Sequence, residues 1–166
     1  AVATLCRFES DLRHQTFWNQ IYLEPKLFGE IMDDSCIFCK IIKKEIPAHA
    51  VYEDEHVIAF LDVKPINIGH TLVVPKKHVA TLTNVMEQDL INTMNVVQKI
   101  TKCLEEISDG VNVGQNNGKV AGQEVDHVHF HVIPRHKGDN FNHWPRKTYK
   151  EGEAEAMVEQ IKKNLA

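Results

Sequence analysis

His127-Val128-His129-Phe130-His131-Val132-Ile133 sets three histidines in strict alternation with apolar residues. A β-strand sends successive side chains to opposite faces. The spacing therefore places the three imidazoles on one face and Val128, Phe130 and Val132 in a core. Imidazole titrates near neutral pH and also serves as nucleophile or metal ligand, so this face points to acid/base, phosphorus or metal chemistry. The plainer alternative, a solvated edge strand with histidines toward water, fits the flanking sequence less well.

Working outward, Val125 to Pro134 reads as the histidine strand, and Val111 to Asn116 as a strand before it. Between them lies a loop, Asn117 to Gln123, that carries Gly118 and Gly122. A long helix precedes these. Asn84 is its expected cap, Glu87 stands three residues on, Met86, Leu90, Met94, Val97, Leu104 and Ile107 form its apolar stripe, and Gly110 stops it. Further upstream, His70 to Pro75 is a β-branched run, while Ala50 to Glu53 and His56 to Leu61 form a hairpin around Asp54-Glu55. Asp33-Asp34-Ser35 is a capping cluster for a short amphipathic helix, Cys36 to Lys44, and a last helix runs from about Glu151 to Leu165. Strands outnumber helices and short turns join neighbours. The expected class is α+β, an antiparallel sheet of about five strands with helices packed on it.

At 166 residues the chain can bury a single core without staples. A formal charge of -4 and a pI near 6.2, with scattered Lys and Arg, disfavour a nucleic-acid groove binder and leave room for a small anionic ligand. Four cysteines include one C-x-x-C, Cys36 and Cys39, with Cys6 and Cys103 alone, which fits a reducing, cytoplasmic setting better than a disulfide framework. No apolar run reaches the roughly 18 residues a membrane span needs. Ala1 to Cys6 also lacks the length and basic flank of a signal peptide. Residues 1–31 read as an N-terminal extension of unknown role, with Met32 a candidate original start.

Three separated motifs then make a resemblance specific. They are the histidine strand with Gly122-Gln123 before it and Ile133-Pro134-Arg135 after it, the run Gly69 to His78, and Cys36-Ile37-Phe38-Cys39-Lys40-Ile41-Ile42. Together, over about residues 35–137, they resemble the histidine-triad nucleotide-binding proteins. The resemblance makes 32–137 a histidine-triad domain and 138–166 a C-terminal tail and helix.

It also implies roles. His129 is the nucleophile that attacks an α-phosphorus, with its other ring nitrogen held by a backbone carbonyl. His131 contacts phosphate oxygens and supports the leaving group, and His70 completes the polar cluster, although a strand-end histidine can equally cap a loop. Asp62 resembles the ribose-binding carboxylate, since one carboxylate suits a vicinal diol. Ile37, Phe38, Ile41 and Phe60 match the purine pocket, and each could as well be plain core. Asn116 and Gln123 flank the glycine loop, where amides and N–H groups bind phosphate without adding charge, and Gly122 lets the backbone approach a ligand. Glu124 departs from members with Ser or Thr there. A carboxylate would repel an anion, so Glu124 turns away, meets a leaving-group amine, or marks a bacterial-like branch.

Cys36 and Cys39 with His78 and His127 would form a closed Cys2His2 zinc site of structural type, as in members resembling this chain and in the related galactose-1-phosphate uridylyltransferases. Two reduced core cysteines are the alternative; a redox C-x-x-C lacks the surrounding βαβ pattern. Trp144, in a tail that also holds His136, His143 and Tyr149, could reach over a neighbour's active site or anchor a dimer interface.

The function expected is hydrolysis of adenosine 5'-monophosphate derivatives at the α-phosphate through a nucleotidyl-histidine intermediate, by a cytoplasmic homodimer that binds neither nucleic acid nor membrane. A nucleoside phosphoramidate is the preferred substrate. Rival readings are a dinucleoside polyphosphate hydrolase, a nucleotidyl transferase, a zinc hydrolase using all three histidines as ligands, and a non-catalytic nucleotide-binding protein. The uridylyltransferases carry glutamine where this chain has His131, which weighs against the transferase.

Overall fold

The structure, a computed structural model, describes residues 32–141 and 145–165. Its first helix, α1 (Ile37–Ile42), leads into strands β1 (Ala50–Glu53), β2 (Val57–Leu61) and β3 (Thr71–Pro75). After a 3-10 turn, Leu82–Asn84, come the long helix α2 (Glu87–Glu105) and strand β4 (Gly110–Gly114). A second 3-10 turn, Lys119–Ala121, precedes β5 (Phe130–Arg135) and the last helix, α3 (Glu153–Leu165). The strands make one sheet in the order β1-β2-β3-β5-β4, and every pairing is antiparallel. The α+β class and the five-strand count are those the sequence implied.

The central strands are apolar on both faces because a helix covers each face. Ile58, Phe60, Leu72 and Val74 pack with Phe38, Cys39 and Ile41 of α1. Val57, Ala59, Val73, Phe130 and Val132 pack with Val96, Val97 and Leu104 of α2. Residues 57–60 thus alternate between two cores at the period of a strand. Val57, Val73, Val74 and Val132 have no exposed surface, and full burial of such a side chain is worth about 1.5–3 kcal/mol.

Three local expectations are corrected. The histidine strand begins at Phe130, so His127 and His129 stand in the bent segment before it, with Val128 N–H donating to the Val79 carbonyl at 2.7 Å. Helix α2 starts at Glu87 with Met86 at its N-cap and no side-chain cap, because Asn84 lies two residues before the N-cap and its side-chain Oδ1 accepts from the hydroxyls of Thr81 and Thr83. Its buried stripe is Thr93, Val96, Val97 and Leu104, whereas Met86, Met94 and Ile107 are exposed. The stripe is set by the sheet it lies on. Helix α3 falls close to its expected span and buries none of its residues. Residues 1–31, with the proposed extension, and Trp144 and His143 in the tail lie outside the described residues.

Candidate active site

Two clusters share the segment His127 to His131. The first is Cys36, Cys39, His78 and His127, whose donor atoms lie within 4.8 Å of one another. Helix α1 supplies both sulfurs, one at its N-cap and one in its first turn. His127 Nδ1 is 3.6 Å from Cys36 Sγ and 3.7 Å from Cys39 Sγ, and His78 Nδ1 is 3.3 Å from Cys39 Sγ. A tetrahedron with metal–sulfur bonds of about 2.3 Å and metal–nitrogen bonds of about 2.0–2.1 Å has sulfur–nitrogen edges of about 3.6 Å. The three sulfur–nitrogen separations lie close to those edges, so the residues fit a tetrahedral ion.

The surroundings agree. His127 Nε2–H donates to the Pro75 carbonyl at 2.9 Å, which leaves Nδ1 with its lone pair on the sulfur side. Asp33 Oδ2 stands 3.9 Å from His78 Nε2. Burial raises the Cys39 thiol to about 11 and lowers His127 to about 4. An ion would remove the thiol proton and meet a neutral imidazole.

The second cluster is His129, His131, His70 and Asp62. His129 Nδ1–H donates to the carbonyl of His127 at 2.6 Å, so its tautomer is fixed with the lone pair on Nε2. That Nε2 makes no hydrogen bond among the described residues. Phe38 stands edge-to-face against the ring, with centroids 5.2 Å apart. His129 and His131 are neighbours at 4.9 Å between centroids, and His70 Nε2 meets His131 Nδ1 at 3.0 Å. Burial is the main cause that lowers all three histidines from 6.5, His131 to about 4. All are neutral at physiological pH, as a nitrogen nucleophile requires.

The remaining candidates divide by what they are free to do. Asp62 follows β2, accepts the Lys64 N–H at 2.8 Å through Oδ1, and holds Oδ2 3.5 Å from His70 Nδ1. Gln123 is buried and its polar atoms are engaged: Oε1 accepts from Gly118 N–H, and Nε2 donates to the carbonyls of Ala80 and Val125. Its side chain braces the glycine loop. Asn116 Nδ2 donates to the Gly122 carbonyl at 3.3 Å. Gly122 has φ +91°, and a Cβ there would sit 3.3 Å from Asn116 Nδ2.

Phe38, Ile41 and Phe60 are buried in the core under α1, whereas Ile37 is 47% exposed. Ile37 lines a cavity of about 290 Å³ with Glu124 and Asp126. His131 and Asn116 line a larger one of about 520 Å³, with Ile133, Phe141 and Arg146. Sequence reasoning missed the Pro75 carbonyl that holds His127, the Ile66 N–H that donates to His70 Nδ1 at 3.3 Å, and Asn67 Nδ2, which donates to the Pro134 carbonyl at 2.9 Å; these are backbone groups or loop side chains that leave no motif. No helix among the described residues is long and apolar enough to cross a membrane.

Comparison with known proteins agrees with this geometry. The family profile of the HIT domain matches residues 43–138. An uncharacterized HIT-like protein of Methanocaldococcus jannaschii is 58% identical over 105 residues, 63% of this chain and 81% of that protein. The adenosine 5'-monophosphoramidase HNT1 of Saccharomyces cerevisiae is 47% identical over 104 residues, 63% of this chain and 65% of that one. A zinc-bound histidine triad family protein from Mycobacterium smegmatis superposes with a TM-score of 0.63 at 36% identity, covering 78% of this chain and 97% of that one.

Proposed function

This chain belongs to the HIT-domain family, and from that premise we propose that it is a hydrolase of adenosine 5'-monophosphate derivatives with a phosphoramidate as preferred substrate. The carrying observation is the 2.6 Å hydrogen bond from His129 Nδ1–H to the His127 carbonyl, which leaves Nε2 basic and uncharged. That nitrogen's lone pair forms a bond to the α-phosphorus. The bond from phosphorus to the amine nitrogen breaks, its electron pair leaves on that nitrogen, and the nitrogen takes a proton from water. In the second half a water oxygen bonds to phosphorus and gives its proton to solvent, while the electron pair of the phosphorus–nitrogen bond returns to His129. Dividing one displacement into two removes the need for a metal-bound nucleophile.

The other residues bind and orient. Asp62 takes the ribose diol through its free oxygen, with Ile37, Phe38, Ile41 and Phe60 on the base side. Asn116 and Gly122 face the phosphate, and Gln123 holds their loop from behind. His131 and His70 flank the leaving group. Cys36, Cys39, His78 and His127 hold zinc, which supplies a structural crosslink between α1, the end of β3 and the histidine segment. The catalytic unit is 32–137, working as a homodimer in the cytoplasm.

The test pairs a variant with a trap. His129→Gly is expected to abolish turnover of an AMP–lysine phosphoramidate while AMP still binds, and mass spectrometry of the quenched wild type is expected to find adenylate on His129. Unchanged turnover in the variant would remove His129 from the reaction. A diadenosine polyphosphate assayed beside the phosphoramidate decides the leaving group.

A further inference from the structure

Cys36, Cys39, His78 and His127 are not equally enclosed. Cys39 and His127 have no exposed surface, whereas Cys36 keeps 8% and the His78 side chain 16%. Both partly open ligands border the same carboxylate. Asp33 Oδ2 stands 3.9 Å from His78 Nε2, and Asp33 shares with Cys36 the wall of the cavity of about 290 Å³, which Ser35, Glu124 and Asp126 also line. No lysine, arginine or histidine among the described residues lines it. The cavity thus joins three carboxylates to one sulfur that is more than nine-tenths buried and carries no disulfide. It shares no lining residue with the larger cavity beside His131 and Asn116.

The chain fixes this arrangement from two sides. Asp33 Oδ1 accepts the Ser35 N–H at 2.8 Å and its hydroxyl at 2.6 Å, and the Asp33 carbonyl accepts the Cys36 N–H at 3.0 Å. This turn sets Cys36 at the N-cap of α1 and leaves Asp33 Oδ2 outside those bonds. Across the cavity, the Val125 carbonyl accepts from Gln123 Nε2 at 3.0 Å and from the His127 N–H at 2.8 Å, while the Val125 side chain packs against the core layer of α1. With Val125 turned inward, its neighbours Glu124 and Asp126 stand exposed on the cavity wall. Glu124 therefore lines the cavity beside Cys36, and not the one beside His131 and Asn116.

We propose that Asp33, Glu124 and Asp126 form the entrance through which a divalent cation reaches the Cys2His2 ligands, with Cys36 the first of the four that it meets. This rests on the reading of those four residues as a zinc site. A concave wall of one charge sign raises the local concentration of counter-ions and speeds their capture by about 10–10³-fold. The mouth attracts any dication, and the sulfurs behind it retain zinc while magnesium and calcium, which prefer oxygen ligands, pass back out. The same field turns an anionic nucleotide away and leaves it to the larger cavity.

The test separates entry from retention. Zinc dissociation from the loaded protein is timed with excess chromophoric chelator and extrapolated to zero chelator. Equilibrium competition with the same chelator gives the dissociation constant, and the quotient of the two is the association rate. Glu124→Gln combined with Asp126→Asn is expected to lower that association rate about tenfold at low salt and to leave dissociation within about twofold. Most of the effect should vanish at about 1 M salt, where screening acts within about 3 Å. Ser35→Trp, which fills the mouth, is expected to slow association and dissociation together and leave the dissociation constant unchanged. Glu105→Gln combined with Glu106→Gln removes the same charge at the end of α2, on the other face of the sheet, and is expected to change neither rate. Equal effects from the two charge pairs, an effect of Glu124 and Asp126 confined to dissociation, or wild-type rates in Ser35→Trp would overturn the proposal. A wild type that takes up no zinc would instead sink the zinc reading itself, whereas zinc-loaded variants with unaltered association would sink the entrance alone.

Discussion

Replacing Cys39 with serine should turn a metal-stabilised fold into one indifferent to metal. Cys39 has no exposed surface, and its sulfur stands 3.3 Å from one ring nitrogen and 3.7 Å from another. A serine hydroxyl there is a poor zinc ligand in an apolar layer formed with Phe38, Ile58 and Leu72. Burying that hydroxyl without a partner costs about 1–3 kcal/mol. Losing the ion costs about 4 kcal/mol when free zinc stands at about 1,000 times its dissociation constant. Together these approach the whole stability of an ordinary domain, about 5–15 kcal/mol. A chain of this size moves about 2–4 °C in Tm per kcal/mol, so the wild type should lose about 8–16 °C on chelation. Cys39→Ser, lower from the start, should lose nothing further. Melting curves by circular dichroism in buffered zinc and in chelator, with metal content by atomic emission, measure both. A wild type that melts at one temperature in both buffers, or that takes up no zinc, would refute the argument and return both thiols to the core.

Other perturbations read other parts of the site. Gly122→Ala forces a side chain into φ +91° and toward Asn116; a cost of about 1–2 kcal/mol should appear in chemical denaturation, with a raised KM for nucleotide. Asp62→Asn should weaken a ribonucleoside 5'-phosphoramidate and leave its 2',3'-dideoxy counterpart nearly unchanged; equal effects on both would remove Asp62 from ribose binding. Burial holds His131 at about 4 against 6.5 in the unfolded chain. Its contribution is therefore whole above pH 6.5 and drains away as pH falls toward 4. The loss is at most about 3 kcal/mol, and about 2 once partial exposure is allowed for. Urea denaturation of wild type and His131→Gln between pH 7 and 4 should show the difference closing toward acid.

Much of this was legible in the residues because strands and metal spacings leave periodic marks. The alternation from His127 to Val132 carried its message even though the strand itself starts at Phe130. C-x-x-C gave its two sulfurs at once because adjacent turns of one helix present them together. The stripe of α2 was misread for a tertiary reason. Met94 is as apolar as Val96, yet only the sheet decides which side of the helix is inside, and Ile107 falls beyond the helix's last residue, Glu105. Gln123 shows a related limit: an amide beside glycines reads as a ligand donor, while here three backbone groups claim it. The Ile66 N–H has no sequence signature, since every residue except proline carries one.

His127 has three attachments: one ring nitrogen faces two sulfurs, the other donates to Pro75, and its carbonyl receives the His129 hydrogen. An ion bound there sits a single peptide unit from the reacting ring without touching it. Cobalt(II), which takes the same tetrahedral ligand set, would place a coloured, paramagnetic probe at that distance. Its visible bands and pseudocontact shifts should change as nucleotide enters, giving a spectroscopic view of occupancy from a position no substrate reaches.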